Sequence, residues 1–182
     1  MPITIQLSTE ADFVSASIRY LTDCDYSHVD FVMPSGVKLP DGTITAGGEL
    51  LGARGDGVKC RPANYAKFTR VQRYYFPGAP NSIYTFAVTQ IGKPYNFVAI
   101  ANFLIQKRNW REDNTLYCAE YVEYSCEHEN YPLIRISDLD TVTPRDLTLS
   151  LLGYPITDKD YVEPWKKSLK TYKSLIPGEI RQ

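Results

Sequence analysis

The chain has 182 residues, with 20 Lys+Arg against 21 Asp+Glu and 43% hydrophobic residues. That length suits one domain around one core, and the composition is too apolar for a disordered chain. A net charge of −1 speaks against a sequence-independent nucleic-acid binder, which needs a basic face. No apolar run is long enough to span a bilayer.

Elements follow in chain order. Ile3 to Leu7 alternates as a strand should. The segment Met1–Leu7 has no basic region followed by an apolar stretch, so no signal peptide is expected. This points to a cytoplasmic protein, or to one carried by or released from a larger particle. Ser8 or Thr9 could cap a helix over residues 10–22, with Glu10 and Asp12 in its first turn. Phe13, Val14, Ile18 and Leu21 recur there at helical spacing and mark an apolar face. His28 to Met33 reads as a strand, Pro40-Asp41-Gly42-Thr43 as a turn, and Glu49–Arg54 and Val58–Arg61 as two more strands. Residues 27–62 thus read as an antiparallel meander.

Residues 69–76 form a further predicted strand, and residues 81–91 and Asn96 to Lys107 two helices. Asn109 to Asn114 is a polar loop, and Cys118 to Glu129 has a clear helical period. Pro144–Leu147 follows an extended segment. The division expected is a domain over 1–157 and a Lys-bearing peripheral arm or surface helix over 158–182.

Cysteine and histidine carry the chemistry. Cys24, Cys60, Cys118 and Cys126 contain no Cys-x-x-Cys pair, so neither a zinc ribbon nor a redox dithiol is suggested. Cys118 and Cys126 are separated by about 12 Å along one helix, too far for a disulfide. Cys24, Cys60 and Cys126 read as packing residues. Cys118 stands at a predicted helix N-terminus, where unpaired amides and the helix dipole favour a thiolate. Its own N–H could help bind an oxyanion. His28 opens a strand and could pair with that thiolate, then protonate a leaving group. His128 lies about 15 Å along the same helix from Cys118 and reads as solvated surface. No residue spacing suggests a metal site or a bound cofactor. Arg54-Gly55-Asp56 spells an adhesion tripeptide, for which a turn is sufficient explanation.

Three segments carry a family resemblance. Gly92-Lys93-Pro94-Tyr95 followed by Cys118-Ala119-Glu120-Tyr121-Val122 resembles the NlpC-type papain-like cysteine peptidases, which have Gly-x-Pro-Tyr and a helix-opening Cys. Ser27-His28-Val29-Asp30-Phe31-Val32 is similar to the histidine strand of that superfamily. His28 precedes Cys118, which resembles the circularly permuted branch of amidases and lecithin retinol acyltransferase-like proteins. Thr143-Pro144-Arg145-Asp146-Leu147 looks like the Thr/Ser-Pro-x-Asp-Leu segment of that branch. The resemblance covers roughly residues 3–152.

The resemblance implies an α+β, circularly permuted papain-like fold, with an antiparallel sheet packed against helices. It also implies a cysteine hydrolase acting on an amide, such as a peptidoglycan peptide, with Cys118 as nucleophile and His28 as base. A lipid-ester hydrolase or acyltransferase belongs to the same group. A non-catalytic binding or structural module on this fold is the reading from another class.

The pattern departs from the family at two places. The superfamily sets a third polar residue on the strand after the histidine strand, and Gly52 stands at that position here. Glu49, Asp56 or a backbone carbonyl could substitute. Asp30 stands where a Gly is common, and its side chain is expected on the face opposite His28. Tyr95 could line the cleft or donate its hydroxyl there, and Glu120 is expected to anchor a loop or an ion pair. The expected partner is a peptide, amide or acyl-ester substrate. The sequence does not indicate an oligomeric state.

Overall fold

A computed structural model of the chain describes residues 3–98, 114–134, 142–148 and 154–156. Its frame is a six-stranded antiparallel sheet in the order β4-β3-β2-β1-β5-β6. The strands are β1 (Ile3–Glu10), β2 (His28–Val32), β3 (Leu50–Arg54), β4 (Gly57–Arg61), β5 (Phe68–Phe76) and β6 (Tyr154–Ile156). The helices are α1 (Phe13–Thr22), α2 (Ser82–Thr89), α3 (Cys118–His128) and α4 (Pro144–Thr148). The fold class is therefore α+β, and residues 27–62 form the expected antiparallel meander of β2, β3 and β4.

Alternation along the strands builds the core. Ile3, Ile5 and Leu7 of β1 and Val29 and Phe31 of β2 are fully buried. The β1–β2 register sets Ile5 opposite Phe31 and Leu7 opposite Val29, so these residues share one face. Phe31 meets the rings of Tyr84 on α2 and Tyr121 on α3 edge to face, at 5.9 and 5.7 Å between centroids. Both phenols are tied to backbone: Tyr84 Oη donates to Val32 O (3.0 Å) and Tyr121 Oη to Ala87 O (3.0 Å). The first fixes α2 against the sheet, and the second ties α3 to α2.

The other face of β1 and β2 carries polar residues that are also buried. The register continues through Gln6 opposite Asp30 and Ser8 opposite His28, and all four residues are inaccessible or nearly so. A buried polar row of this kind needs internal partners.

The first helix departs from the sequence reading. β1 runs on to Glu10 because it stays paired with β5, through a bulge between Thr9 and Glu10. The cap is therefore Asp12, which accepts from Ser15 N at 2.7 Å, and not Ser8 or Thr9. Of the expected apolar stripe only Ile18 is buried: Phe13, Val14 and Leu21 are exposed, as is Tyr20, and α1 otherwise buries Ser15 and Thr22. The anchor is polar. Ser15 Oγ bonds Ser27 Oγ (2.6 Å) and accepts from Glu10 N (3.1 Å). Period alone identified the helix but not the face it buries.

Strand β6, paired to β5, is an element the sequence reading lacked. Pro144–Thr148 is a short helix whose Asp146 accepts from Thr143 N (2.8 Å) and Oγ1 (2.6 Å). Most of the expected helix from Asn96 to Lys107, most of the loop from Asn109 to Asn114, and the arm over 158–182 lie outside the described residues.

Candidate active site

Helix α3 begins at Cys118, with extended Tyr117 as its N-cap. Glu120 in the first turn reaches back to accept from Tyr117 N at 3.2 Å, the loop-anchoring role expected of it. The turn before Cys118 is held from the other side. Leu116 N donates to Pro94 O (3.1 Å) and Asn96 N donates to Leu116 O (3.2 Å), pairing Tyr95 with Leu116 as a parallel bridge. The Gly-x-Pro-Tyr segment is thus the splint that sets Tyr95 beside the start of α3.

Three side chains predicted from sequence meet here. Cys118 lies close enough to the His28 imidazole and the Tyr95 hydroxyl to shift the titration of both. It is 2% exposed and His28 is 8% exposed. Burial and the adjacent Cys118 together push the Tyr95 hydroxyl well above its ordinary range.

The partner of His28 is Asp30, and this corrects the expectation that Asp30 points away. Residues two apart on a strand share a face, and Nε2 of His28 lies 2.9 Å from Asp30 Oδ1. Burial alone would push the imidazole down. The Asp30 charge and hydrogen bond outweigh it, Cys118 adds to them, and His28 is raised to about 10. Burial acts on Asp30 in the opposite sense, but His28, Tyr65 and Arg54 hold its carboxyl below the usual range.

The second oxygen of Asp30 is also satisfied. Tyr65 Oη donates to Oδ2 at 2.9 Å, Arg54 Nη1 donates to Tyr65 Oη at 2.8 Å, and Arg54 Nη2 pairs with Glu10 at 2.6 Å. The Arg54 guanidinium also sits over the Tyr65 ring, 4.9 Å from its centroid. A buried ion pair is thereby tied by a continuous polar chain to the cleft edge. Sequence reasoning missed Tyr65, Arg54 and Glu10 as supports, because the loop that returns Tyr65 to β2 has no periodic signal.

Gly52 explains why Asp30 fits. A Cβ at residue 52 would lie 1.9 Å from Asp30 Oδ1 and 2.9 Å from its Cγ. The carboxylate thus sits on β2 beside His28, and the glycine at 52 on β3 makes room for it.

The substitutes weighed from sequence stand elsewhere. The Glu49 carboxylate accepts from Ala46 N (2.7 Å) and Gly47 N (2.8 Å), closing the turn ahead of β3. Asp56 pairs with Lys59 (3.0 Å) and Arg61 (2.5 Å) across a hairpin. Neither bonds His28. His128 stacks on Phe86 and pairs with Glu129 at the half-exposed end of α3. Among the described residues no group of three or more His, Cys, Asp or Glu could hold a metal ion. Among them, too, no helix is long and apolar enough to cross a membrane.

A cleft of about 300 Å³ opens over His28, with Val14 and Ile18 of α1 on one side and Tyr95 and Phe97 on another. A buried cysteine at a helix N-terminus, near a carboxylate-supported imidazole that lines an open cleft, can act with it as a nucleophile–base pair.

No protein-family model matches the chain, and no curated protein matches it. Among solved structures it is similar to one described as the crystal structure of metalloprotein yiiX from Escherichia coli O157:H7, DUF1105. The two share 16% identity over 86% of this chain and 96% of the other, with a TM-score of 0.58. At that identity the likeness bears on the fold alone.

Proposed function

We propose that this protein is a thiol hydrolase on a circularly permuted papain-like scaffold, with Cys118 as nucleophile, His28 as base and acid, and Asp30 as the group that orients His28. The observation that carries the reading is that Cys118, at the first position of α3, is a neighbour of an imidazole that is itself bonded to a buried carboxylate. The chain order of the strand bearing His28 before the helix bearing Cys118 supports the permuted form.

In this mechanism the Cys118 thiol proton moves to His28, and Sγ attacks the carbonyl carbon of an amide or ester. The carbonyl oxygen takes up the electron pair. First-turn amides of α3, which have no intrahelical partner, face the developing charge. The oxyanion collapses, the C–N or C–O bond breaks, and His28 gives its proton to the leaving amine or alcohol. Water then attacks the thioester with His28 as base, and Cys118 leaves as the thiol. Asp30 keeps its proton-free state throughout and stabilises the imidazolium. Tyr95 borders the nucleophile and can donate to the substrate oxygen.

An acyl-enzyme trap tests this. Incubation with small aryl esters, an acid quench and intact-mass measurement should give a single acyl adduct that maps to Cys118. The adduct should disappear in Cys118→Ser on the same timescale. An adduct that maps elsewhere, or none with any ester tried, overturns the assignment.

A further inference from the structure

We infer that a second cavity, bounded by the end of α1, the turn that follows it, β5 and α4, is a binding site for a small phosphate monoester. Arg19 and Arg145 would hold the phosphate, with its organic body against Tyr26 and Tyr74. The cavity has a volume of about 420 Å³ and shares no lining residue with the cleft over His28, so the inference is independent of the hydrolase reading. A volume of this size suits a small ligand.

The charges around the cavity do not balance one another. Among the described residues Arg54, Arg61 and Arg70 each pair with a carboxylate, and Arg73 donates to Gln6 at 3.0 Å. Arg19 is the exception. It is half-buried and lines the cavity, and its Nε is out of reach of water with no hydrogen-bond partner. The last turn of a helix suits a cation. That accounts for the charge at this position but not for the unpaired donor, which is costly to bury. Arg145 is nearly as uncommitted. Its Nη1 stands 3.5 Å from Asp23 Oδ2, too far for a good hydrogen bond, and the Asp23 side chain is 86% exposed. Asp25, the other acid of the lining, is taken by Arg70 and its side chain is 72% exposed. The acids therefore stand in solvent at the rim, and the surplus charge is the Arg19 guanidinium.

The rest of the lining narrows the ligand. A guanidinium binds oxyanions through paired N–H donors. A carboxylate fills one such fork, whereas the three terminal oxygens and near-double charge of a phosphate monoester can engage two. Tyr26 and Tyr74 supply half-buried aromatic walls. Burial pushes both hydroxyls above their ordinary range. Each stays an O–H donor at neutral pH and adds no competing negative charge.

Titration of the isotope-labelled full chain with phenyl phosphate, followed by amide chemical shifts, tests this. Inorganic phosphate and phenol are titrated beside it. Phenyl phosphate should give saturable shifts at the amides of Tyr26, Tyr74 and Arg145. Inorganic phosphate should bind there more weakly, and phenol should not bind. Arg19→Gln should weaken phenyl phosphate by about tenfold or more, the loss of a hydrogen bond to a charged group. The amide spectrum of the variant checks its fold. An affinity unchanged in Arg19→Gln, saturable shifts confined to other regions, or no saturable shift at all overturns the inference. So does inorganic phosphate or phenol binding as tightly as phenyl phosphate. The order of the three probes in the unaltered chain tests the site without relying on the variant.

Discussion

The β2 wall of the cleft and its α1 wall are built in opposite ways. On β2, His28 and Asp30 are buried polar groups, and each carboxylate oxygen of Asp30 has a partner within 2.9 Å. The next strand gives up a side chain at Gly52 so that this pair can exist. On α1 the order is reversed: small polar Ser15 and Thr22 are buried, while Phe13 and Tyr20 are more than four-fifths exposed. The first wall fixes His28 and Asp30 in one geometry, as a low-dielectric polar network does when every member is paired. The second is held by few contacts and presents apolar surface to whatever enters. Precision and receptivity are thus assigned to different elements of one cleft.

The substitution that breaks the rigid wall most completely is Gly52→Ala. Its methyl would collide with Asp30 Oδ1, and the Asp30–His28 pair could not survive in place. Disrupting a buried ion pair costs about 3–5 kcal/mol. Urea denaturation should show that loss together with the loss of Cys118 reactivity. A variant as stable and reactive as wild type would mean that Asp30 has another place to go.

Asp30→Asn sharpens the comparison by removing charge while keeping shape. Hydrolysis should fall by about 10⁴-fold, as when a triad carboxylate is neutralised. The pH signature separates orientation from plain packing. His28 is raised from 6.5 to about 10, so its contribution to stability is complete below pH 6.5 and is lost as pH rises through 10. Asp30 is lowered, so its own contribution is lost as pH falls through its depressed range. The stability gap between wild type and Asp30→Asn should therefore be widest near pH 5–6 and close toward pH 10. A gap independent of pH would contradict the ion pair.

Ser8 tests the same wall from the other side. Its hydroxyl is buried opposite His28 in the register and has no hydrogen-bond partner among the described residues. Ser8→Ala removes an unsatisfied group and should raise stability by about 1 kcal/mol. A loss of that size would reveal a bond the hydroxyl makes. The smallest effects belong to the soft wall. Phe13→Ser and Tyr20→Ser should shift unfolding by no more than about 0.5 kcal/mol, because neither residue packs into the core. A larger loss would show that α1 is held by its exposed face.

The sheet and the segments that bring His28 and Cys118 together were legible because their signals are local. Alternation and turn residues placed β2 to β5 to within a residue and the start of β1, though not its run to Glu10, and the sequence around His28 and Cys118 carried the resemblance. The placement of Asp30 was misjudged on a single geometric step. Asp30 is two residues from His28, so the strand period places it on the same side, and the glycine at 52 is the matching mark. Glu49 and Asp56 attracted attention by charge alone, and both are absorbed in their own turns. The α1 face was not legible, because a helix with apolar residues on one side reads as core-facing until the serine contacts that turn it are known. Strand β6 was missed because three residues are too few for a period.

Alkylation of Cys118 by iodoacetamide at pH 6, followed by peptide mass spectrometry in wild type and His28→Ala, tests the central claim most directly. A thiolate paired with His28 should react rapidly at a pH where ordinary thiols are protonated, and the rate should fall at least tenfold in His28→Ala. Slow labelling of Cys118 at the same rate in both proteins would contradict the pair and, with it, the hydrolase.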